Sequence, residues 1–212
     1  MKRTLKTICL LAVFAITSIN MANAQFGIQA GYVNSKFNTD LPSFVAGKEH
    51  YNGFEIGATY DFQIQGGVFM NYGLLYTFGK NSYDYGTENF NFVTIENTAH
   101  YLNIPVRVGY KYPINNSFRV FAYAGPNFTF GLAGKTSGEI IGFTGDGKWY
   151  GEDSDLKRFD IKLGLGIGVE YNNFVLKGGY DWGLFNAYDS DNFYARRNQF
   201  NISIAYLFNL GY

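Results

Sequence analysis

The chain contains segments in which apolar side chains alternate with polar side chains or glycine. In residues 159–171, FDIKLGLGIGVEY, every odd position from Phe159 to Tyr171 is apolar, and every even position is charged or glycine. A period of two places these two sets on opposite faces of a β-strand. The segment therefore predicts a strand with one apolar face and one polar face.

Eight segments show this alternation, and the connections between them alternate between short and long. The predicted strands cover 26–37, 54–62, 68–79, 101–112, 118–132, 159–171, 174–185 and 199–212. Brief turns are predicted at 63–67, 113–117 and 172–173, and longer loops near 38–51, 80–99, 133–157 and 186–196. Short turns at one end, long loops at the other and an even strand number are typical of outer-membrane barrels. We therefore predict an all-β fold, an eight-stranded antiparallel up-and-down transmembrane barrel with short periplasmic turns and four extracellular loops.

The turn at residues 172–173 predicts strand register. Asparagine tolerates positive φ, so Asn172 and Asn173 are suited to a two-residue hairpin that pairs Tyr171 with Phe174. This register places both apolar faces on the same side of the sheet.

The proline residues of strands four and five predict an irregularity. If Asn115 and Asn116 formed the turn, Pro105 and Pro126 would face each other, and neither can donate to the ladder. The bulky apolar positions are odd before Gly125 and even after it. We therefore expect a bulge or gap here, with a switch of the strand's faces.

The polar faces carry nine ionisable side chains whose charges nearly cancel. They are Glu55, Asp61, Arg107, Lys111, Asp160, Lys162, Glu170, Lys177 and Asp181. The hairpin register makes Glu170 a diagonal neighbour of Lys177, and Lys162 of Asp181, which predicts an ionic interior. Since the interior of an eight-stranded barrel is just wide enough for side chains to fill, these groups predict a plugged lumen rather than a porin channel. The glycines at 164, 166 and 168 would leave room for them.

Aromatic residues lie near both ends of the apolar faces, and this distribution indicates that lipid, not water, surrounds the barrel. At the short-turn end these are Tyr60, Phe62, Tyr110, Tyr112, Tyr171, Phe174, Tyr206 and Phe208. At the long-loop end they are Tyr76, Phe78, Phe159, Trp182 and Phe200. Two aromatic belts around an aliphatic middle match the two interfaces of a bilayer. A soluble lipocalin-like carrier would place the same face in its core.

The N-terminal residues 1–24 have the composition of a signal peptide. Lys2, Arg3 and Lys6 precede the apolar run ICLLAVFAI, and the small-x-small motif at 22–24 predicts cleavage before Gln25. The run is short for a membrane-anchoring helix, the alternative interpretation. Residues 25–212 are then expected to form a single domain with no cysteine, after export to the periplasm and insertion in the outer membrane.

Composition excludes several function classes. The chain has 17 Lys and Arg against 17 Asp and Glu, with no basic cluster, so no nucleic-acid partner is predicted. Aromatic residues are abundant, with 21 Phe and 18 Tyr. His50 and His100 do not have the spacing of zinc ligands. The acidic stretches at 145–147 and 151–155 do not fit a calcium-binding loop, so we interpret them as flexible turns. No metal or other cofactor is predicted.

Two strands resemble a known family. YLNIPVRVGYKY followed by FAYAGPNFTFGLAG is similar to the small outer-membrane β-barrel family common in Bacteroidota, which includes PorT-like proteins. The matching positions are Tyr101, Leu102, Ile104, Pro105, Gly125 and Pro126. The aromatic C-terminal residue Tyr212 also looks like the signal read by the barrel-assembly machinery. The resemblance implies the fold and the outer-membrane location, but no single activity.

Expected partners follow from that location: outer-membrane lipid and lipopolysaccharide, the assembly machinery during biogenesis, and an envelope or secretion-system protein. Some eight-stranded barrels are lipid-modifying enzymes, and the lipid A deacylases among them carry His-x-Ser at the outer rim. Here His100 is followed by Tyr101 and Leu102, so the nucleophile position is empty.

The long loops carry aromatic side chains for which two roles remain open. These are Tyr83, Tyr85, Phe90, Phe92, Phe143, Trp149 and Tyr150. They are either contact residues for a partner, since loops on a rigid barrel are where binding evolves, or a cap folded over the barrel mouth. The leading hypothesis is a non-enzymatic outer-membrane barrel whose loops bind a partner or support the envelope. A lipid-modifying enzyme and a soluble carrier are the alternatives.

Overall fold

The computed structural model describes residues 24–39, 50–87, 90–140, 143–150, 156–187 and 195–208, which contain nine β-strands. They are β1 (Ala24–Thr39), β2 (His50–Gln65), β3 (Val68–Thr87), β4 (Phe90–Pro113), β5 (Phe118–Ile140), β6 (Phe143–Lys148), β7 (Phe159–Tyr171), β8 (Phe174–Gly183) and β9 (Ala195–Phe208). The predicted signal peptide and the C-terminal residue Tyr212 lie outside the described residues. None of the described residues belongs to a helix that is long and apolar enough to cross a membrane.

Eight of the strands form a closed antiparallel ring. The order is β4-β3-β2-β1-β9-β8-β7-β5, and pairing of β4 with β5 closes it. The first and last strands pair from Phe26 opposite Phe208 to Thr39 opposite Ala195. The sixth strand, β6, lies outside the ring and pairs only with the end of β5. The predicted eight-stranded up-and-down barrel is therefore confirmed.

The short turns use residues that favour tight backbone geometry. Gly66 and Gly67 have φ of 61° and 88°, and Asn172 has φ of 52°. The Asn172–Asn173 turn pairs Tyr171 with Phe174, so the register predicted for this hairpin is correct. In the β4–β5 turn, the Asn115 carboxamide oxygen accepts the backbone N–H groups of Ser117 and Phe118, at 2.9 Å each.

The β4–β5 turn contains four residues, 114–117, and this changes the predicted register by one residue. Pro105 therefore lies opposite Asn127, not opposite Pro126. The ladder is interrupted between this pair and the pair Val108–Ala124, so the expected gap occurs without a change of register. The register shift of this strand pair lies further along, at His100 and Tyr101.

The predicted switch of faces at Gly125 is wrong. Phe121 and Tyr123 point into the barrel and are buried, on the same face as buried Asn127 and Thr129. The odd apolar positions were assigned to the lipid face, but aromatic rings are also compatible with the interior. Here they face the glycines of β7 across the sheet, since Phe121 pairs with Gly168 and Tyr123 with Gly166.

Two predicted long loops are largely strand. In the region 80–99, β3 continues to Thr87 and β4 begins at Phe90. In the region 133–157, β5 continues to Ile140 and β6 follows it. Residues 145–147, which were predicted to be a flexible turn, lie in β6. We call residues 80–87, 90–99, 133–140 and 143–148 the extracellular sheet, since they pair with one another beyond the ring. Their alternation is weak because both faces of a sheet above the bilayer meet water. Residues 40–49, 151–155 and 188–194 lie outside the described residues.

Side-chain exposure shows which face of the wall meets lipid. On β7, Ile167 is 69% exposed and Leu165 is 55% exposed, whereas Lys162 is fully buried and Glu170 is 3% exposed. Large apolar side chains cover the outside on every strand of the ring, and polar ones fill the inside. This is the reverse of a soluble carrier, whose apolar face would line its core. The wall is that of a membrane barrel.

Aromatic side chains form contacts at both ends of this apolar wall. At the short-turn end, Phe26 stacks on Phe208 at 6.0 Å between ring centroids, and Tyr206 packs on both Phe174 and Phe208 at 5.1 Å. At the other end, Phe130 contacts Phe159 at 4.9 Å, and Tyr180 contacts Trp182 at 5.0 Å. The two belts lie at the levels expected for the membrane interfaces.

A charge placed at the middle of the apolar wall tests this orientation. Leu165 lies midway between the belt residues Phe159 and Tyr171, so Leu165→Arg should lower the free energy of unfolding by about 2–4 kcal/mol in lipid vesicles. Leu132→Arg, just beyond the outer belt, is the matched control and should cost about 0–1 kcal/mol. Urea titration of both variants measures the difference, and equal stabilities would contradict a lipid-facing wall.

Candidate functional site: the barrel interior and its mouth

The nine predicted ionisable side chains all point to the barrel interior. Eight of them are buried, and Lys177 is half-buried. Inward positions alternate with lipid-facing positions along each strand, which is how the sequence directs these groups to the lumen. Their partners show what they do there.

The central contact joins β4 to β8 across the lumen. The Arg107 guanidinium binds the Asp181 carboxylate with 2.5 Å between Nη2 and Oδ1, and Asn127 donates to the other carboxylate oxygen at 2.8 Å. Arg107 also donates to the carbonyl oxygen of Gly125. This carbonyl lies in the interrupted part of the β4–β5 ladder, so the arginine occupies the gap that the prolines create. The interruption is therefore closed by a side chain from within.

A second cluster lies nearer the short-turn end. Lys111 on β4 binds both Asp61 on β2 and Glu170 on β7, at 2.7 Å each. Arg119 binds the other oxygen of the Glu170 carboxylate at 2.5 Å. Three of these four side chains are almost completely buried, and Arg119 is one-third exposed. The lysine thus links two carboxylates that come from opposite sides of the ring.

The remaining ionisable groups have mostly amide partners. Lys162 donates to the Gln199 side-chain oxygen at 2.6 Å, and Lys177 to that of Asn71 at 3.2 Å. Glu55 accepts a hydrogen bond from Gln29 at 2.9 Å. The amides that supply these contacts are Gln199, Asn71 and Gln29. Each is at an inward position of its strand.

The predicted diagonal ion pairs are wrong in their partners. Glu170 was expected to meet Lys177, and Lys162 to meet Asp181, on neighbouring strands. The carboxylates instead bind Lys111 and Arg107, whose strands are two or three positions away around the ring. An eight-stranded ring is narrow enough for long side chains to reach across it, so cross-lumen contacts compete with diagonal ones.

An apolar cluster fills the lumen at the short-turn end, which the sequence analysis missed. It consists of Phe69, Phe121, Tyr123, Val175, Ala205 and Leu207. Phe69 packs edge-on against Phe121 at 5.5 Å, and the Lys111 ammonium lies 4.9 Å from the Phe69 centroid. The sequence feature that could have predicted this cluster is the presence of apolar residues at odd-numbered, inward positions of β3, β8 and β9. The cluster is a floor beneath the ionic layer.

The glycines at 164, 166 and 168 face the interior and make room for large neighbours. A Cβ on Gly164 would collide with Asp181 and Arg107, one on Gly166 with the Tyr123 ring, and one on Gly168 with the Phe121 ring. The glycine stretch therefore accommodates one ion pair and two aromatic rings. In the middle of the lumen, the pocket between the ionic groups and the apolar floor has a volume of about 20 Å³. A space of this size holds about one water molecule.

Two of the predicted loop aromatics fold into the extracellular mouth. Trp149 packs over Gly134 and donates its indole N–H to Thr136 at 2.8 Å, and its ring meets the Tyr51 ring edge-on at 5.5 Å. Tyr150 packs against Gly131. Both side chains lie on the inward side of β5.

Basic side chains lie over aromatic rings at the mouth. The Arg158 guanidinium lies 4.8 Å from the Tyr150 ring, and Arg197 lies 4.1 Å from the Tyr101 ring while binding Asp160 at 3.2 Å. Burial raises the pKa of the Tyr150 phenol well above its ordinary value, so it stays neutral. Tyr83, Tyr85, Phe90, Phe92 and Phe143 belong to strands of the extracellular sheet, but their side chains lie outside what is described.

In the described part of the chain, the hydrogen-bond partners of His50 and His100 are Asn34 and Tyr76. His100 is on the outer wall, where its Nδ1 is 2.6 Å from the Tyr76 hydroxyl and its ring packs on Phe78 at 5.2 Å. His50 begins β2, and its Nδ1 is 3.4 Å from the Asn34 side-chain oxygen. Within the described ranges, no three His, Cys, Asp or Glu side chains are grouped so that they could hold a metal ion.

Removal of Asp181 tests the energetic role of the central contact. Asp181→Ala leaves Arg107 buried without its counter-ion, which should lower the free energy of unfolding by about 3–5 kcal/mol. Glu96→Ala removes the partner of Lys80 from a salt bridge whose side chains are nearly half exposed, so it should cost less than about 1 kcal/mol. Urea titration in vesicles compares the two, and a cost for Asp181→Ala as small as the control would refute this role.

The glycine stretch makes a separate prediction. Gly164→Ala should cost about 1–3 kcal/mol because its methyl group would overpack the Arg107–Asp181 contact. Gly145→Ala, in β6, is the control because a Cβ there has open space around it. Thermal unfolding in detergent measures both. Equal stability of Gly164→Ala and the wild-type chain would show that the lumen is not tightly filled.

A family model matches this chain, and several solved structures are similar to it. The sequence model of the outer membrane protein beta-barrel domain matches residues 15–189. Among solved structures, Neisserial surface protein A is similar with a TM-score of 0.48 and 15% identity, covering 88% of this chain and 99% of that one. Ail of Yersinia pestis gives a TM-score of 0.39 and 17% identity over 88% and 99% of the two chains, and OprG of Pseudomonas aeruginosa gives 0.45 and 12% over 88% and 96%. No curated protein sequence matches the chain. Because the family model spans most of the sequence, this protein belongs to the outer membrane protein beta-barrel domain family and is a protein of the outer membrane.

Proposed function

We propose that this protein is a non-enzymatic outer-membrane barrel whose lumen is closed by side chains and whose extracellular surface binds a partner or supports the envelope. The observation that carries the closure is the pair of cross-lumen contacts, Arg107 with Asp181 and Lys111 with Asp61 and Glu170. The pocket lined by Asp61, Arg107 and Lys111 in the middle of the barrel has a volume of about 20 Å³. A hydrated ion or a small solute needs considerably more.

The two ends of the lumen support the same proposal. Beneath the ionic layer, Phe69, Phe121 and Leu207 are buried against one another. Above it, Trp149 and Tyr150 pack into the mouth. Opening a continuous path would require ion pairs to break in the interior, and each broken pair leaves a buried charge without a partner. A closed resting state is therefore favoured.

The role of the extracellular sheet follows from the closed lumen. The β3–β4 and β5–β6 pairs continue beyond the ring, and they provide a rigid platform outside the membrane. We infer that a protein or polymer of the envelope binds there. Outer-membrane lipid, lipopolysaccharide and the assembly machinery complete the proposed partners. The proposal also includes export by a signal peptide at residues 1–24 and membership of the PorT-like group of Bacteroidota barrels.

A lipid-modifying enzyme is the less favoured function. His100 is held against Tyr76 on the lipid-facing wall, and the residue two positions after it is Leu102, which has no nucleophilic group. Hydrolysis needs an activated nucleophile or water next to the base.

Planar bilayers test the closed lumen. The purified full chain, with its insertion counted by a fluorescent label, should produce no steady large conductance. The double substitution Trp149→Ala and Tyr150→Ala removes the cap, and it should also remain silent because the ion pairs beneath it stay in place. A steady large conductance from labelled wild-type barrels would overturn the proposal, and one from the double variant alone would assign the closure to the cap.

A further inference from the structure

The extracellular sheet has edges, unlike the closed ring below it. At one edge lies β6, which pairs with β5 from Lys135 opposite Lys148 to Ile140 opposite Phe143. Among the described residues, no strand pairs with the other side of β6. The edge of a sheet presents unpaired backbone N–H and C=O groups, which are a template for a further strand. We call this side of β6 the open edge.

The opposite edge of the sheet, on β3, is less suited to accept a strand. The ladder between β2 and β3 ends at Lys80, and beyond it β3 pairs with β4 alone in the described part of the chain. The register of that pair shifts between Tyr85 and Gly86, and irregularities of this kind keep an edge from pairing. In contrast, β6 has a regular register over its full length and contains no proline.

The residue that follows β6 shows which backbone groups face the open edge. The Trp149 N–H donates to the Gly134 carbonyl oxygen at 3.0 Å, so this odd-numbered residue is bonded towards β5. Along an antiparallel strand, successive residues direct their backbone groups alternately to one neighbour and to the other. Thr144, Asp146 and Lys148 therefore direct their N–H and C=O groups to the open edge.

The open edge is held in position and is accessible. The Trp149 indole packs over Gly134 and donates to Thr136 at 2.8 Å, which fixes the end of β6 against β5. Gly145 and Gly147 are exposed, and the described structure has no atom within 4 Å of a Cβ at either position. A preformed surface loses less entropy on binding than a flexible one. The geometry is therefore suited to an incoming strand.

Strand register fixes the order of charged residues along the open edge. Glu139 on β5 pairs with Thr144, which makes it a diagonal neighbour of Asp146. Lys148, nearer the ring, pairs with Lys135. The open edge is therefore acidic towards its tip and basic at its base. Opposite charges that lie directly across a strand pair stabilise it, and like charges destabilise it.

We propose that an extended segment of another protein adds to the open edge as a further antiparallel strand, with a basic residue opposite Asp146 and an acidic residue opposite Lys148. In strand addition, main-chain hydrogen bonds provide the affinity and side chains provide the specificity. A polypeptide is the occupant because its N–H and C=O groups recur with the same repeat as those of the edge. This inference rests on the proposed binding role of the extracellular sheet and not on the closed lumen.

Fluorescence anisotropy with the full chain in lipid nanodiscs tests the proposal with the labelled peptide Thr-Glu-Thr-Lys-Thr as the probe. In the antiparallel orientation its glutamate lies opposite Lys148 and its lysine opposite Asp146. The wild-type chain should bind this peptide. It should bind the same peptide methylated at every backbone nitrogen at least about tenfold more weakly, because methylation removes the donors and keeps the charges. The heat-dependent gel migration of each variant verifies that it is folded.

Variants of β6 locate the binding to the open edge. Thr144→Pro removes one N–H from this edge without changing a charge, so it should weaken binding about fivefold. Thr144→Ala keeps the N–H and is the matched control, which should change the affinity by less than about twofold. Asp146→Lys should weaken binding about threefold, and the peptide Thr-Glu-Thr-Glu-Thr should recover that loss because it restores opposite charges.

Equal binding of the methylated peptide, or unchanged binding by Thr144→Pro, would overturn strand addition. Absence of binding at about millimolar peptide would also overturn it. If the wild-type chain forms a dimer in sedimentation that Thr144→Pro separates, the open edge pairs with a second copy and the assignment to another protein is wrong. A steady conductance in planar bilayers would refute the closed lumen alone, and a failed peptide experiment would refute this inference alone, so the two failures are distinguishable.

Discussion

The structure depends on one constraint: in hydrocarbon, every backbone N–H and C=O must find its partner within the protein. The ring meets this requirement by pairing β1 with β9 and β4 with β5, so that no edge of the eight strands is left open to lipid. Closure with eight strands then fixes a narrow lumen, and the period-two alternation sends half of all side chains into it. The contacts that hold the interior together follow from this narrowness. Polar groups directed inward cannot remain apart, and they pair across the lumen.

The interior shows how size and charge are matched in so small a space. Arg107 and Asp181 come from strands three positions apart around the ring, and their contact occupies the volume that Gly164 leaves empty. Phe121 and Tyr123 use the volume beside the next two inward glycines of β7. The glycine positions of the β7 sequence thus have a definite physical purpose. On β7 the outward side chains are large and contact lipid. Inward positions of the same strand are glycine, which leaves space for the side chains that cross the lumen.

Most of the barrel could be predicted from the sequence, because membrane-spanning strands have the strongest contrast between their faces. The strands, the Asn172–Asn173 turn and the inward direction of the ionisable groups follow from the period of two. The extracellular sheet could not be predicted in this way, since polar residues on both faces of β3 and β4 remove the contrast between an apolar and a polar face. Ion-pair partners depend on how strands three positions apart around the ring are staggered, and no local pattern encodes that. Phe121 was assigned to the wrong face because an aromatic ring suits both lipid and a glycine-lined interior.

The same reasoning explains why the functional chemistry of this protein should be sought on its outer surfaces. A lumen bridged by Lys111 and Arg107 has its polar groups already committed to one another, so little is left in it to bind a solute. The proposed cap of Trp149 and Tyr150 reduces access further. Side chains on the outside have fewer internal contacts, and the extracellular sheet extends the barrel beyond the headgroups. The contacts of the interior thus hold the barrel together, and the extracellular sheet is the surface that remains for the proposed partners.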